Sequence, residues 1–168
     1  IVLVVASKAR VFAVPGFTKE VVASFHHALA TALFAQEIAK ARRSTVDVAF
    51  LAGLFHDFGQ PVLLQALVDL APAADPADVF AEVDAAHAVV GARLVTKWGM
   101  PAKVAEAVDR HHVPTGCELA TIVALADDFA HARDATPAYA AALNLYPDDV
   151  VAIAKRAPDI ALTVKAIA

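Results

Sequence analysis

The pentapeptide Leu54-Phe55-His56-Asp57-Phe58 constrains this chain more than any other stretch. It places an adjacent His-Asp pair at the end of an apolar, helix-like run. Further residues of the same kind recur on apolar faces elsewhere: His27, His87, His111, His112 and Asp127. Burying an uncompensated carboxylate is costly, and buried ionised groups are normally paired or bound to metal. A chain that carries such residues on several separate segments must therefore bring those segments together. The predicted fold is all-α, a single-domain bundle in which helices converge on one polar centre.

The helix signals run almost throughout, and strand alternation is nowhere sustained. Ile1 to Phe12 reads as the end of a helix, closed by Pro15-Gly16. Thr18 is the expected N-cap of a long helix running to about Ala41. Ser44 to Asp47 supplies cap oxygens and an early acid for a second helix, to about Phe58. Gly59-Gln60-Pro61 turns the chain into a short helix ending near Leu70. Asp75-Pro76 restarts a helix as N-cap and first position. Asp84 to Trp98 reads as another, stopped by Gly99. Pro101 to His112 and Glu118 to Arg133 follow. Thr136-Pro137 and Tyr146-Pro147 open the last ones.

Helical periodicity selects which ligand-type residues face inward. His27 shares a face with Ala23, Phe34 and Ile38, whereas His26 turns away. Gly53 lies one turn before His56 and Asp57, so a neighbouring element can approach the pair closely. His87 shares a stripe with Gly91, Leu94 and Trp98. His111 lies with Val104, Ala107 and Val108, and His112 sits at the edge of that stripe. Asp127 lies among Ala120, Val123 and Ala130. His26 and His131 are expected outside the cluster.

Each residue alone has a plainer reading. A buried His commonly bonds a backbone carbonyl, His111-His112 suits a helix C-terminus, and Asp127 could pair with His131. Jointly, five His and two Asp supply enough ligands for one or two divalent ions with a shared carboxylate. Imidazole suits Zn, Fe, Mn or Ni, and the added carboxylates favour Fe or Mn. A metal-free helical domain with its histidines bonded inside the core is the alternative.

Bulk properties narrow the function. The 168 residues suit one domain with one sizeable core, and 59% of them are hydrophobic against 19% charged. A net charge of −4 gives no reason to expect nucleic acid as a partner. The single cysteine, Cys117, rules out an internal disulfide framework and fits the cytoplasm. No apolar run reaches the ~18 residues of a membrane span.

These motifs resemble the HD superfamily, and within it the HD-related output domain, HDOD. Phe25-His26-His27-Ala28-Leu29-Ala30 is similar to the family's first motif, whose usual aromatic is Trp. Ala49 to Gly59, containing Gly53-Leu54-Phe55-His56-Asp57, is similar to its central motif. Ala86-His87-Ala88-Val89-Val90-Gly91, then Trp98-Gly99-Met100-Pro101, and finally Arg110-His111-His112-Val113-Pro114 follow in the family's order. The weaker Ala126-Asp127 pair comes next.

The resemblance implies an all-α bacterial signalling module, with a regulatory protein or a small ligand as its partner. It also implies an N-terminal helical portion, which is expected to be missing from this chain. By analogy with the related HD-GYP phosphodiesterases, His27, His56, Asp57 and Asp127 would surround one metal. Asp57 would bridge to a second metal held by His87, His111 and His112, and would be the catalytic residue of an active enzyme. Two departures speak against hydrolysis of cyclic dinucleotides. Gln60 stands where active relatives carry Lys, and no Gly-Tyr-Pro segment follows His111-His112. Two functions are in view: a regulatory domain with a retained metal site, and a metal-dependent phosphohydrolase acting on a phosphoester or nucleotide.

Overall fold

The computed structural model describes residues 14–167, so the helix expected over Ile1 to Phe12 lies outside the described residues. Nine helices follow one another among these residues, with no strand. They are α1 (Thr18–Ala41), α2 (Val46–Phe55), α3 (Gly59–Leu70), α4 (Pro76–Lys97), α5 (Ala102–Arg110), α6 (Glu118–Ala130), α7 (Pro137–Ala142), α8 (Pro147–Ala154) and α9 (Ala157–Ile167). None of them is long and apolar enough to cross a membrane.

Local chemistry explains most boundaries. Asp75 caps α4 by accepting a 2.8 Å bond from the Ala77 amide, with Pro76 preset at the first position. Gly99, at φ +71°, ends the same helix by letting the Met100 amide reach back to the Val95 carbonyl at 3.0 Å. Thr18 does not cap α1 as expected. Phe17 holds the N-cap position, and the Thr18 hydroxyl donates to the Val14 carbonyl instead.

Other expected boundaries also differ. The segments predicted to meet near Asp84 form one helix, α4. Val79, Val83, His87, Gly91 and Val95 make one unbroken buried stripe along it, each four residues from the next. The second helix stops at Phe55 instead of Phe58, so His56 and Asp57 occupy the tight turn into α3. There the Phe58 amide bonds Phe55 O at 3.1 Å and the Gln60 amide bonds Asp57 O at 2.9 Å.

Three apolar clusters hold the bundle. Phe34, Ile38, Ile122, Leu125 and Phe129 join α1 to α6, and Leu143, Ile153 and Ile160 bring in the C-terminal segments. Ala52, Val95, Val104, Val108 and Val123 join α2, α4, α5 and α6. Val14, Val21, Leu64, Val79 and Val83 close α1, α3 and α4. Each fully buried large aliphatic side chain contributes about 1.5–3 kcal/mol. Together these clusters can offset the cost of the polar centre that His56, Asp57, His87 and His111 form in the interior.

Candidate metal centre

The turn after α2 sets the geometry. Because His56 and Asp57 fall in a compact turn, two adjacent side chains aim at one point. Two glycines let the flanking helices close around it. A Cβ on Gly53 would lie 2.9 Å from Ala32 Cα and 3.0 Å from Thr31 O, so α1 packs directly on the α2 backbone beside His27. A Cβ on Gly59 would lie only 2.0 Å from the His87 carbonyl, so α4 packs still more closely on the start of α3.

Asp57 stands at the middle with its two carboxylate oxygens facing different groups. Its Oδ1 lies 3.2 Å from His87 Nε2 and 3.4 Å from His111 Nε2. Its Oδ2 lies 3.3 Å from His56 Nε2 and 4.0 Å from His27 Nε2. On the first side His112 Nε2 adds itself at 2.9 Å from His87 Nε2. On the second, Asp127 Oδ1 lies 2.8 Å from His27 Nε2 and 3.7 Å from His56 Nε2. All seven residues singled out in the sequence are thus brought to one place.

Tautomers follow from the backbone. His56 Nδ1–H donates to Gly53 O at 2.7 Å, and His111 Nδ1–H to Val108 O at 2.7 Å. His87 Nδ1–H is shared between Val83 O and Asp84 O, at 3.1 and 2.9 Å. A carbonyl can only accept, so in the neutral rings the Nε2 lone pairs point at the centre. This is how ring orientation is fixed in histidines that bind metals.

The donor set fits a metal. His56 Nε2 is fully buried and has no hydrogen-bond partner. His87 Nε2 and His111 Nε2 face each other at 3.4 Å as two acceptors. Ligand atoms on adjacent corners of an ion with bonds of about 2.1 Å lie about 3 Å apart. His87, His111 and His112 form one group that could hold an ion, and His27, His56 and Asp57 another.

Without a cation, the carboxylates favour the protonated forms of His56 and His87. Burial disfavours a charged His56, but Asp57, helped by Asp127, outweighs it and raises His56 to about 10. Burial likewise opposes a charged Asp57, yet His56, His111 and His87 hold it well below the usual carboxylate range. His112 is pushed down, by burial first and then by His111 and His87.

His26 lies outside these groups, as the periodicity implies. His131 does not. Its Nδ1 is 3.2 Å from Asp127 Oδ1, its ring centroid is 4.1 Å from that of His27, and it joins them in a third possible ligand group. Arg133 also reaches the centre, with Nη1 3.7 Å from Asp127 Oδ2. Four-residue spacing already offers His131 to Asp127, but Arg133 escapes the periodicity because α6 ends at Ala130 instead of Arg133. Ala132 then turns left-handed, at φ +54°, and the Arg133 amide bonds back to Asp128 O at 2.9 Å. Asp128, adjacent to the site carboxylate, serves the backbone instead. It accepts the Thr136 amide at 3.0 Å and pins the approach to α7. Gln60 lies beside the centre and accepts a 3.4 Å bond from Ser24 of α1.

Comparison with known proteins agrees with the fold. The chain shares its fold with a protein of Shewanella amazonensis SB2B provisionally named a phosphohydrolase, at 19% identity and a TM-score of 0.65 over 88% of this chain. A protein of Marinobacter aquaeolei VT8 provisionally named a signal transduction protein aligns at 21% identity and a TM-score of 0.64 over 85% of this chain. The chain spans 64% of the first and 38% of the second. No curated protein matches it. The HDOD domain family matches residues 1–114, the stretch that carries six of the seven convergent residues. The chain belongs to the HDOD domain family.

Proposed function

We propose that this chain is a bacterial, cytoplasmic signal-transduction module whose His/Asp centre binds two divalent transition-metal ions and responds to a small ligand or a regulatory protein. The observation that carries the reading is the orientation of Asp57, one oxygen toward His87 and His111, the other toward His56 and His27. His27, His56 and Asp127 would hold one ion, and His87, His111 and His112 the other, with Asp57 between them. Nitrogen and carboxylate donors in this mixture suit Fe or Mn, with Zn or Ni also accommodated. When bound, such ions supply Lewis-acid chemistry toward phosphoryl oxygens.

The chain's own residues account for binding better than for turnover. The backbone carbonyls lock three rings, Asp57 is shared, and Asp127 is held by His27. Gln60 contributes no positive charge beside the centre. Hydrolysis of cyclic dinucleotides is therefore not expected. Phosphohydrolase activity on another phosphoester is the second reading, favoured by a pocket of about 260 Å³ that opens onto His56, Asp57, His87 and His111.

The test is metal analysis of protein purified without chelators and loaded anaerobically with Fe or Mn. Two ions per chain are expected, and none would refute the reading. Assays of the loaded protein with phosphomonoesters, nucleotides and cyclic dinucleotides then separate the two functions. Robust turnover that Asp57→Ala abolishes would replace the regulatory reading with the enzymatic one.

A further inference from the structure

The pocket over the metal centre does not end there. It shares Asp57, Gln60 and His131 with a larger trough of about 750 Å³ between α1 and α9. The two spaces differ in chemistry. The inner pocket is lined by His56, His87, His111, Asp57, Asp127 and Arg133 among others, whereas His27 lines the trough. The trough is walled by Ala23 and Ala30 of α1, Ala130 of α6, and Ala161 and Val164 of α9, with Glu20, His26 and Lys165 among its polar groups. The helix that supplies its far wall, α9, lies beyond the family match.

Charge selects what enters the inner pocket. Two divalent ions there would meet the carboxylates of Asp57, Asp127 and Asp84 among the described residues, which leaves positive charge in excess. Arg133 adds to it. Its guanidinium is 3.7 Å from Asp127, too far for a firm hydrogen bond, and its side chain is 58% exposed. Sharing of Asp127 with a metal would weaken that pairing further and free the guanidinium for another anion. His131 stands opposite, on the same Asp127. The left-handed turn at Ala132 delivers Arg133, a backbone conformation an alanine adopts only at a cost.

We propose that Arg133 and the alanine-lined trough between α1 and α9 select the ligand of this centre, Arg133 holding the phosphoryl oxygens of an organic phosphate monoester and the trough its organic part. The inference rests on the metal centre proposed above. A trough of this size suits a small organic molecule, and the inner pocket is the smaller space that a phosphoryl group would fill. Guanidinium is well suited to phosphoryl oxygens because it donates in a planar fork.

The experiment is calorimetric titration of the Mn-loaded protein with phenylphosphonate and with inorganic phosphate, with metal content measured on the same samples. Phenylphosphonate is expected to bind about tenfold or more tightly than phosphate, through burial of its ring. Arg133→Met should weaken both ligands about tenfold or more at unchanged metal content. Ala161→Trp, at an exposed position, should erase the preference for phenylphosphonate and leave phosphate binding intact. Equal affinities in the unmodified protein, or an Arg133→Met variant that binds as well as the parent, would overturn the ligand assignment alone. Protein that takes up no metal would overturn the metal centre and the ligand assignment together.

Discussion

The two halves of the centre are built to different standards of fixity. The half formed by α4 and α5 is interior: His87 and His111 are 0% and 4% exposed, and backbone carbonyls hold both rings. The half formed by α1 and the end of α6 is open. His27 is only half-buried, and Asp127 shares its carboxylate with His27, His131 and Arg133. The difference separates two roles. The inner half would preset a position for an ion through His87 and His111, while its third residue, His112, is exposed. The outer half borders the trough, so whatever enters there meets side chains that can still adjust.

Asp57 is the one side chain common to both halves, and removing it is the strongest way to break the contrast. Asp57→Ala should lower metal affinity at both positions, by at least about 100-fold, since even loss of a group that only supports a ligand typically costs 10–100-fold. His27→Ala should instead deplete the outer position alone and leave one ion on His87, His111 and His112. Metal stoichiometry and affinity by competition with a chelator distinguish the cases. Loss of both ions in His27→Ala would show that the inner half is not independently formed.

The two glycines beside the His-Asp pair carry the same contrast into folding. Gly59→Ala places a methyl 2.0 Å from a backbone oxygen of α4, which no side-chain rotation relieves. A loss of about 3 kcal/mol or more is expected, measurable as a denaturation midpoint, or as failure to fold. Gly53→Ala meets α1 atoms at 2.9–3.0 Å, and a small separation of α1 from α2 accommodates it. Its cost should be nearer the range of about 1–3 kcal/mol usual for overpacking. Gly53→Ala proving the worse of the two would mean that α1, not α4, is the less yielding neighbour.

How much of this was legible depends on where each residue sits in its helix. His27, His87 and His111 lie on apolar stripes, and a period of 3.6 turns such a stripe inward wherever packing continues it. The all-α class followed from the same periodicity together with the caps, of which Asp75-Pro76 is the clearest. The unity of α4 was present as a run of i, i+4 apolar residues from Val79 to Val95, but the polar Asp84 and the change of neighbours along the stripe obscured it. Arg133 was not legible, because its approach to Asp127 follows a left-handed alanine that no local residue preference announces. His131 was legible as a partner of Asp127 four residues on, but not as a neighbour of His27.

The opposition of proton and metal gives the subtlest test. In the metal-free protein His56 is raised to about 10 from an ordinary 6.5, because the carboxylates outweigh burial. His87 is raised too: burial acts against its charge, but Asp57 prevails. A folded value above the unfolded one means the folded chain binds more protons between the two. The resulting stability is complete below pH 6.5 and is lost as the pH climbs toward 10. Asp57 and Asp127 act in the opposite sense, being held low despite burial by their histidine partners. Their contribution is present above the ordinary 3.8 and is lost only in stronger acid. Between pH 7 and 10 the carboxylates are therefore constant, and the melting temperature of metal-free protein should fall. With metal the slope should reverse. An ion on His56 Nε2 takes the place of the proton, so uptake releases protons and affinity rises with pH. Melting curves of the two forms, at matched ionic strength and at pH values below the onset of metal hydroxide precipitation, should diverge as pH rises. Parallel curves would mean that the ion does not displace the His56 proton, and the outer half of the centre would have to be redrawn without that ring as a ligand.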